Sequence, residues 1–173
     1  MDALCDKNAV ELRRLIGRKE ISPVELLAAC RARIDAVNPA INAMVALDLA
    51  GAEQAARAAE RAVLRGDELG PLHGLPLGVK DLSETAGLRT TFGSLLFEHH
   101  VPVRDEAVVA RMRAAGAVIL GKTNTPEFGA GGNTRNRVYG ATGNPFDPVL
   151  TASGSSGGSA AALALGMVPL ASG

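Results

Sequence analysis

Residues 105–123 read DEAVVARMRAAGAVILGKT, and this stretch decides the fold class. It begins as an amphipathic helix that Asp105 can cap, and Gly116 supplies the left-handed residue that commonly ends a helix. Residues 117–121 are then apolar and too few for a second helix, which predicts a buried strand. Strands alternate with amphipathic helices from here on, so we expect an α/β fold, a mixed β-sheet flanked by α-helices.

The first 69 residues are predicted to form a helical arm. A first amphipathic helix covers about residues 7–18. A second begins at Ser22, where Ser-Pro-Val-Glu combines a capping box with a proline at the first helical position, and it should end at Asn38-Pro39. A third covers residues 48–65, which are rich in Ala, Glu and Arg. None of the three carries residues suited to chemistry, so the function is expected in an α/β core that starts at residue 70.

Composition narrows the possible partners. The chain has 18 Lys plus Arg and 18 Asp plus Glu, a formal net charge of zero, and no Trp. This balance gives no electrostatic reason to expect nucleic acid or an anionic membrane surface. Cys5 and Cys30 lie outside any CxxC pattern, which indicates reduced thiols. With no signal peptide and no apolar run of about 20 residues, we expect a soluble, cytoplasmic protein.

Residues 116–123, GAVILGKT, fit the phosphate-loop pattern GxxxxGK[ST]. A phosphate loop follows a strand and opens a helix, whereas here the four intervening residues are apolar and predict the strand itself. We therefore reject a nucleotide site.

Two further patterns also carry no site. Ser156 lies in a GxSxG match, but that elbow needs an acid and a histidine downstream, and residues 157–173 contain neither. His73 falls in a Pro/Gly turn, and the adjacent His99 and His100 are expected to be a solvated pair, so no metal site is predicted.

Residues 154–162, GSSGGSAAA, place hydroxyls on a glycine-rich bend that leads into a helix-forming alanine run. Glycine lets the backbone approach a substrate closely, and the helix directs unpaired N–H groups and its positive end at the bend. Serines here suit attack on a carbonyl or proton relay. The alternative is a Ser/Gly linker, although the apolar segment that follows argues against it.

Lys80 closes an apolar run that follows the rigid turn at residues 70–76. At a strand end it would be partly buried, and burial lowers the pKa of a lysine, which makes it a possible base. The alternative is a lysine that extends to solvent and pairs with Asp81.

In combination these patterns resemble the amidase signature family of serine hydrolases, and the likeness runs in order over essentially the whole chain. The motifs that carry it are GPLHGLPLGVKD at 70–81, RAAGAVILGKTN at 113–124, EFG at 127–129, YGATGNP at 139–145 and GSSGGS at 154–159.

The resemblance implies hydrolysis of a carboxamide to a carboxylate and ammonia or an amine, through a serine acyl-enzyme and a Ser–Ser–Lys triad. Lys80 would be the base and Ser155 the bridging serine, with its peptide bond held cis. Gly129, Ala130, Gly131 and Gly132 would line the acyl pocket, and Ser156 would also contact substrate. The family needs no metal and no cofactor. The implied partner is a small-molecule amide, with no direct nucleic acid partner, no membrane and a possible homo-oligomer.

The family's nucleophile lies in a second glycine-rich motif, TDxGGS, that aligns beyond Gly173. We therefore expect residues 1–173 to be the N-terminal part of a single amidase signature domain, with arm 1–69 and core 70–173, inactive alone. Two alternatives stay open. One is the A subunit of a tRNA-dependent amidotransferase, from which Leu82 and the Gly129–Gly131 segment depart, and the other is a truncated, non-catalytic domain.

Overall fold

Helices and short strands alternate along the computed structural model, which describes residues 2–173. Over these residues no helix is both long enough and apolar enough to cross a membrane. The helices are α1 (Asp2–Cys5), α2 (Ala9–Gly17), α3 (Pro23–Ile41), α4 (Leu49–Arg65), α5 (Ala107–Ala114) and α6 (Gly157–Ala164). The strands are β1 (Met44–Leu47), β2 (Pro76–Lys80), β3 (Val118–Thr123), β4 (Arg135–Asn136), β5 (Gly140–Ala141) and β6 (Leu170–Ala171).

A four-stranded mixed sheet with the order β1-β3-β2-β6 lies at the centre of the fold. Strand β2 is parallel to both β3 and β6, and β1 is antiparallel to β3. Every residue of β2 and β3 is buried, as expected for parallel strands covered on both faces. Lys80 is in register with Thr123, so the carboxyl ends of these strands meet at one edge of the sheet. The predicted mixed sheet flanked by helices is confirmed.

The two faces of β3 point into two apolar clusters. Val118 and Leu120 pack with buried residues of α2, α3 and α4, whereas Ile119 packs with Val79 of β2 and Val109 of α5. This alternation is the period of two that a strand imposes on its side chains. Helices therefore cover both faces, and the polar chemistry is left to the strand ends.

The arm differs from its prediction in two respects. It contains a strand, β1, that pairs with β3 and so forms part of the central sheet. Helix α3 also continues past Pro39 to Ile41. A proline this close to a C-terminus removes only one helical hydrogen bond, and Asn42 in the left-handed conformation then ends the helix. The side chain of Asn38 accepts hydrogen bonds from the amides of Ala43 and Met44, which stabilises that end.

The prediction that Asp105 caps α5 is wrong. Glu106 is the N-cap residue and makes no side-chain cap hydrogen bond. The Asp105 carboxylate instead accepts from the amide of Ala86 at 2.8 Å and from Nε of Arg113 at 2.8 Å, so it joins the loop before α5 to the helix. Gly116 has a φ of +93° and ends the helix as predicted.

Candidate active site

Lys80 and the serine bend, residues 154–156, meet at the carboxyl edge of the sheet. Lys80 is the last residue of β2, and the bend leads into α6. Nζ of Lys80 is within hydrogen-bonding distance of Oγ of Ser155, at 2.9 Å, and of Oγ of Ser156, at 2.7 Å. Lys80 is only 7% exposed, and both serines are half-buried. The structure thus joins residues 75 positions apart in one polar cluster.

Two glycines allow α6 to approach the end of β3. A Cβ at Gly158 would lie 2.3 Å from the backbone nitrogen of Asn124, and a Cβ at Gly157 would lie 2.3 Å from Oγ1 of Thr134. Real Cβ atoms do not approach so closely, so glycine is required at both positions. The peptide bond between Gly154 and Ser155 is cis. The close approach of α6 brings Ser155 and Ser156, which directly precede the helix, within reach of Lys80.

A second set of hydroxyls holds the strand ends together. The backbone amide of Lys80 donates to Oγ of Ser172 at 2.9 Å, and Oγ of Ser159 donates to the carbonyl of Ser172 at 2.6 Å. Oγ of Ser159 also lies 2.6 Å from Oγ1 of Thr123. These contacts fix α6, β2 and β3 relative to one another. The sequence analysis includes Ser159 in the motif at 154–159 without a role of its own, and it does not identify Ser172.

Burial lowers the pKa of Lys80, because it removes water that would stabilise the ammonium form. Within residues 2–173 no ion pair involves Lys80. The alternative in which it pairs with Asp81 does not hold, because the Asp81 carboxylate points away and accepts from the amide and hydroxyl of Thr91. The neutral form of Lys80 is therefore more accessible than that of an exposed lysine.

Residues 129–132 run beside the serine bend. A Cβ at Gly154 would lie 3.1 Å from the carbonyl oxygen of Gly131, so the two backbones are nearly in contact. Gly129 is half-buried against Leu82, whereas Ala130 and the two following glycines are exposed. Contact between this segment and a substrate stays a prediction.

The rejected motifs behave as the sequence indicated. The apparent phosphate loop is strand β3, and its Lys122 is fully buried, with Nζ donating to the carbonyl of Ser83 and to Oγ1 of Thr85. The elbow reading of Ser156 also fails, because no regular strand leads into the bend.

His100 differs from its prediction as half of a solvated pair. Its ring stacks on Phe92 at 6.1 Å between centroids and meets Phe97 edge-on at 5.9 Å, while Nε2 lies 3.1 Å from a Glu84 carboxylate oxygen. It is therefore half-buried in an aromatic cluster, and only His99 is exposed. Across residues 2–173 no group of three or more His, Cys, Asp or Glu is arranged to hold a metal ion.

Comparison with known proteins identifies the family to which the chain is similar. The family model described as Amidase matches residues 25–173. The A subunit of the glutamyl-tRNA(Gln) amidotransferase of Acidothermus cellulolyticus is 46% identical over 173 residues, which is all of this chain and 34% of the relative. An acylamidase of Rhodococcus erythropolis is 44% identical over 166 residues, 96% of this chain and 35% of the relative.

A solved structure shares the fold as well. A bacterial aryl acylamidase of the amidase signature family superposes with a TM-score of 0.89 and 34% identity, over 94% of this chain and 34% of that one. The chain spans about a third of the length of the relatives it matches. Matched over most of its residues by the family model, the chain belongs to the amidase signature family.

Proposed function

We propose that these residues supply the proton-transfer groups of an amide hydrolase that works through a serine acyl-enzyme. Lys80 is the base and Ser155 the bridging serine. The observation that carries the proposal is the contact of Lys80 Nζ with Oγ of Ser155 at 2.9 Å, in a buried position where no residue of 2–173 forms an ion pair with Lys80. The proposed substrate is a small-molecule amide.

In its neutral form Lys80 can make the hydrogen bonds that a base in this position needs. A neutral amine has two N–H groups and one lone pair, so Nζ can donate to Ser156 while it accepts the hydroxyl proton of Ser155. The lowered pKa increases the neutral fraction at a given pH. Ser156 then accepts a hydrogen bond from Nζ and orients it, and the substrate contact that the resemblance implies for Ser156 stays a prediction.

Proton transfer then follows the chain of contacts. As the attacking serine oxygen bonds to the amide carbon, its proton passes to Oγ of Ser155, and the Ser155 proton passes to Nζ of Lys80. The protons return along the same path to the amine as the C–N bond breaks, leaving an ester. Water attacks the ester with the same relay and releases the carboxylate. The attacking serine is taken from the family pattern and is not one of these 173 residues.

The test is a fusion in which this chain replaces the matching third of the Rhodococcus erythropolis acylamidase. Turnover is measured with an N-acyl p-nitroanilide that the unmodified acylamidase hydrolyses. General acid–base groups typically raise the rate of catalysis by roughly 10²–10⁴-fold. Lys80→Met and Ser155→Ala should therefore each lower kcat by at least about 10²-fold. The matched controls are Ser153→Ala, directly before the bend, and Lys19→Met on the surface, and both should retain activity. Near-parental turnover by Lys80→Met would overturn the assignment.

A second candidate function is that of an amidotransferase A subunit. It is favoured by the 46% identity over the full chain to a protein of that type. Against it stand Leu82 and the Gly129–Gly131 segment, which depart from the pattern of that type. Co-expression of the fusion with the partner subunits of the Acidothermus cellulolyticus enzyme decides between the two. We expect no stable complex in size-exclusion chromatography, and a stoichiometric complex would reverse the order of the candidates.

We also propose that the arm and the core are parts of one domain. Strand β1 of the arm pairs with β3 of the core, and one apolar cluster joins Leu12 of α2 to Val118 and Met167. An element that completes the sheet has no independent core of its own. The two segments should therefore unfold in a single transition when near-UV and far-UV circular dichroism are compared.

A further inference from the structure

The residue after the proposed base connects the catalytic strand to the segment that lines the proposed substrate site. Asp81 is fully buried, and its carboxylate accepts from the Thr91 amide at 3.0 Å and from the Thr91 hydroxyl. A buried carboxylate is retained only where hydrogen bonds compensate for lost water. Asp81 thus fixes the beginning of residues 91–94, which we call the clamp, to the end of β2.

The clamp in turn holds residues 126–129. The amide of Phe128 donates to the carbonyl of Phe92 at 2.7 Å, and Oγ of Ser94 donates to a Glu127 carboxylate oxygen at 2.7 Å. A Cβ at Gly93 would lie 3.1 Å from the backbone of Pro126, so the two segments pack backbone to backbone. Three independent contacts therefore join them.

The held segment has an unusual backbone. Phe128 has a φ of +52° and its partner Phe92 a φ of +55°, in the left-handed region that bulky side chains rarely adopt. Such residues persist where surrounding contacts enforce them. Gly129 follows directly, packed on Leu82, and begins the 129–132 segment beside the serine bend. The clamp thus determines the direction in which the backbone enters residues 129–132.

We infer that Asp81 is a positioning residue that sets the place of residues 129–132 relative to Lys80 by holding the clamp. The effect of this positioning on catalysis rests on the proposed function. The link from Asp81 through the clamp to residues 129–132 rests only on the contacts described above. Lys80 and Asp81 are adjacent, so one strand end carries both the base and the anchor of the substrate segment.

Amide hydrogen exchange of the 173-residue chain tests the connection. In Asp81→Asn we expect the Phe128 amide to exchange at least about tenfold faster, while the amides of β3 keep their parental rates, because only a local opening is made easier. The matched control is Asp105→Asn, which also removes a carboxylate that accepts a backbone amide, but outside the clamp. Ser94→Ala provides a milder variant that cuts one clamp contact and should accelerate Phe128 in the same direction.

The fusion described above supplies a kinetic readout. Asp81→Asn should raise KM about tenfold or more with a smaller change in kcat, and the pH profile set by Lys80 should not move. Unchanged Phe128 exchange, or equal acceleration in Asp105→Asn, would overturn the inference and leave the proposed function intact. Retained activity in Lys80→Met would instead remove the proposed function, whatever the exchange rates show.

Discussion

Replacing Gly158 by alanine tests whether the close approach of α6 holds the serine bend in place. The added Cβ would lie 2.3 Å from the nitrogen, 2.6 Å from the oxygen and 2.8 Å from Cα of Asn124. All three are backbone atoms, so no flexible side chain can move aside. The Asn124 amide is itself bonded to the carbonyl of Ala43 at 2.9 Å, which resists displacement of the strand end.

Overpacking of this kind costs typically about 1–3 kcal/mol, and we expect about 3 kcal/mol because the contacts are with backbone. With a urea m-value of about 2 kcal/mol per M, the midpoint of unfolding should fall by roughly 1.5 M. The assay is urea denaturation of the chain followed by circular dichroism, with the m-value checked for constancy.

Gly132→Ala is the matched control, because a Cβ at Gly132 would meet nothing within 4 Å. Its free energy of unfolding should stay within about 0.5 kcal/mol of the parent. If Gly158→Ala were as stable as Gly132→Ala, the close packing of α6 on the end of β3 would be refuted, and with it our account of how Ser155 reaches Lys80.

Three further predictions concern the core, the buried lysine and the serines. Leu12 is 1% exposed, so Leu12→Ala should lower the free energy of unfolding by about 2–5 kcal/mol in urea denaturation, whereas Leu96→Ala, at an 84% exposed position, should change it by less than about 0.5 kcal/mol. Burial lowers the pKa of Lys122 from 10.5 to about 8, so between these values only the unfolded chain holds the proton and stability should rise with pH. Over that window the rise should amount to about 3 kcal/mol, and a Lys122→Met variant with the parental pH dependence would contradict it. A serine-directed fluorophosphonate should not label the 173-residue chain, because Ser155 relays protons and does not attack, and a covalent adduct on Ser155 detected by mass spectrometry would reject that role.

Local patterns predicted the elements that local chemistry determines. The capping box at Ser22 is present, with its side chain accepting from the amide of Val24, and Gly116 ends α5 in the left-handed conformation. The apolar run predicted as a strand at 117–121 overlaps β3, which begins one residue later at Val118 and continues to Thr123, and the bend at 154–156 leads into α6 as the glycines and alanines indicated. In each case the deciding contacts lie within a few residues of one another.

The missed features depend on partners far away in the sequence. Strand β1 is only four residues long and exists because β3 offers it an edge about 75 residues later. The sequence predicts Asp105 as a helix cap, but its carboxylate instead accepts from Arg113 and from the Ala86 amide. The sequence suggests only Lys80 as a partner of Asp81, and nothing local indicates that the carboxylate bonds to Thr91.

The Lys80 amine is buried, has a lowered pKa and contacts Ser155, and the proposed function depends on these three properties. The most direct measurement is an NMR titration of the Lys80 Cε signal in chain labelled with ¹³C-lysine, assigned by its loss in Lys80→Met. We predict a midpoint below the ordinary value of about 10.4 and a changed midpoint in Ser155→Ala. A midpoint at the ordinary value that Ser155→Ala leaves unmoved would contradict the account.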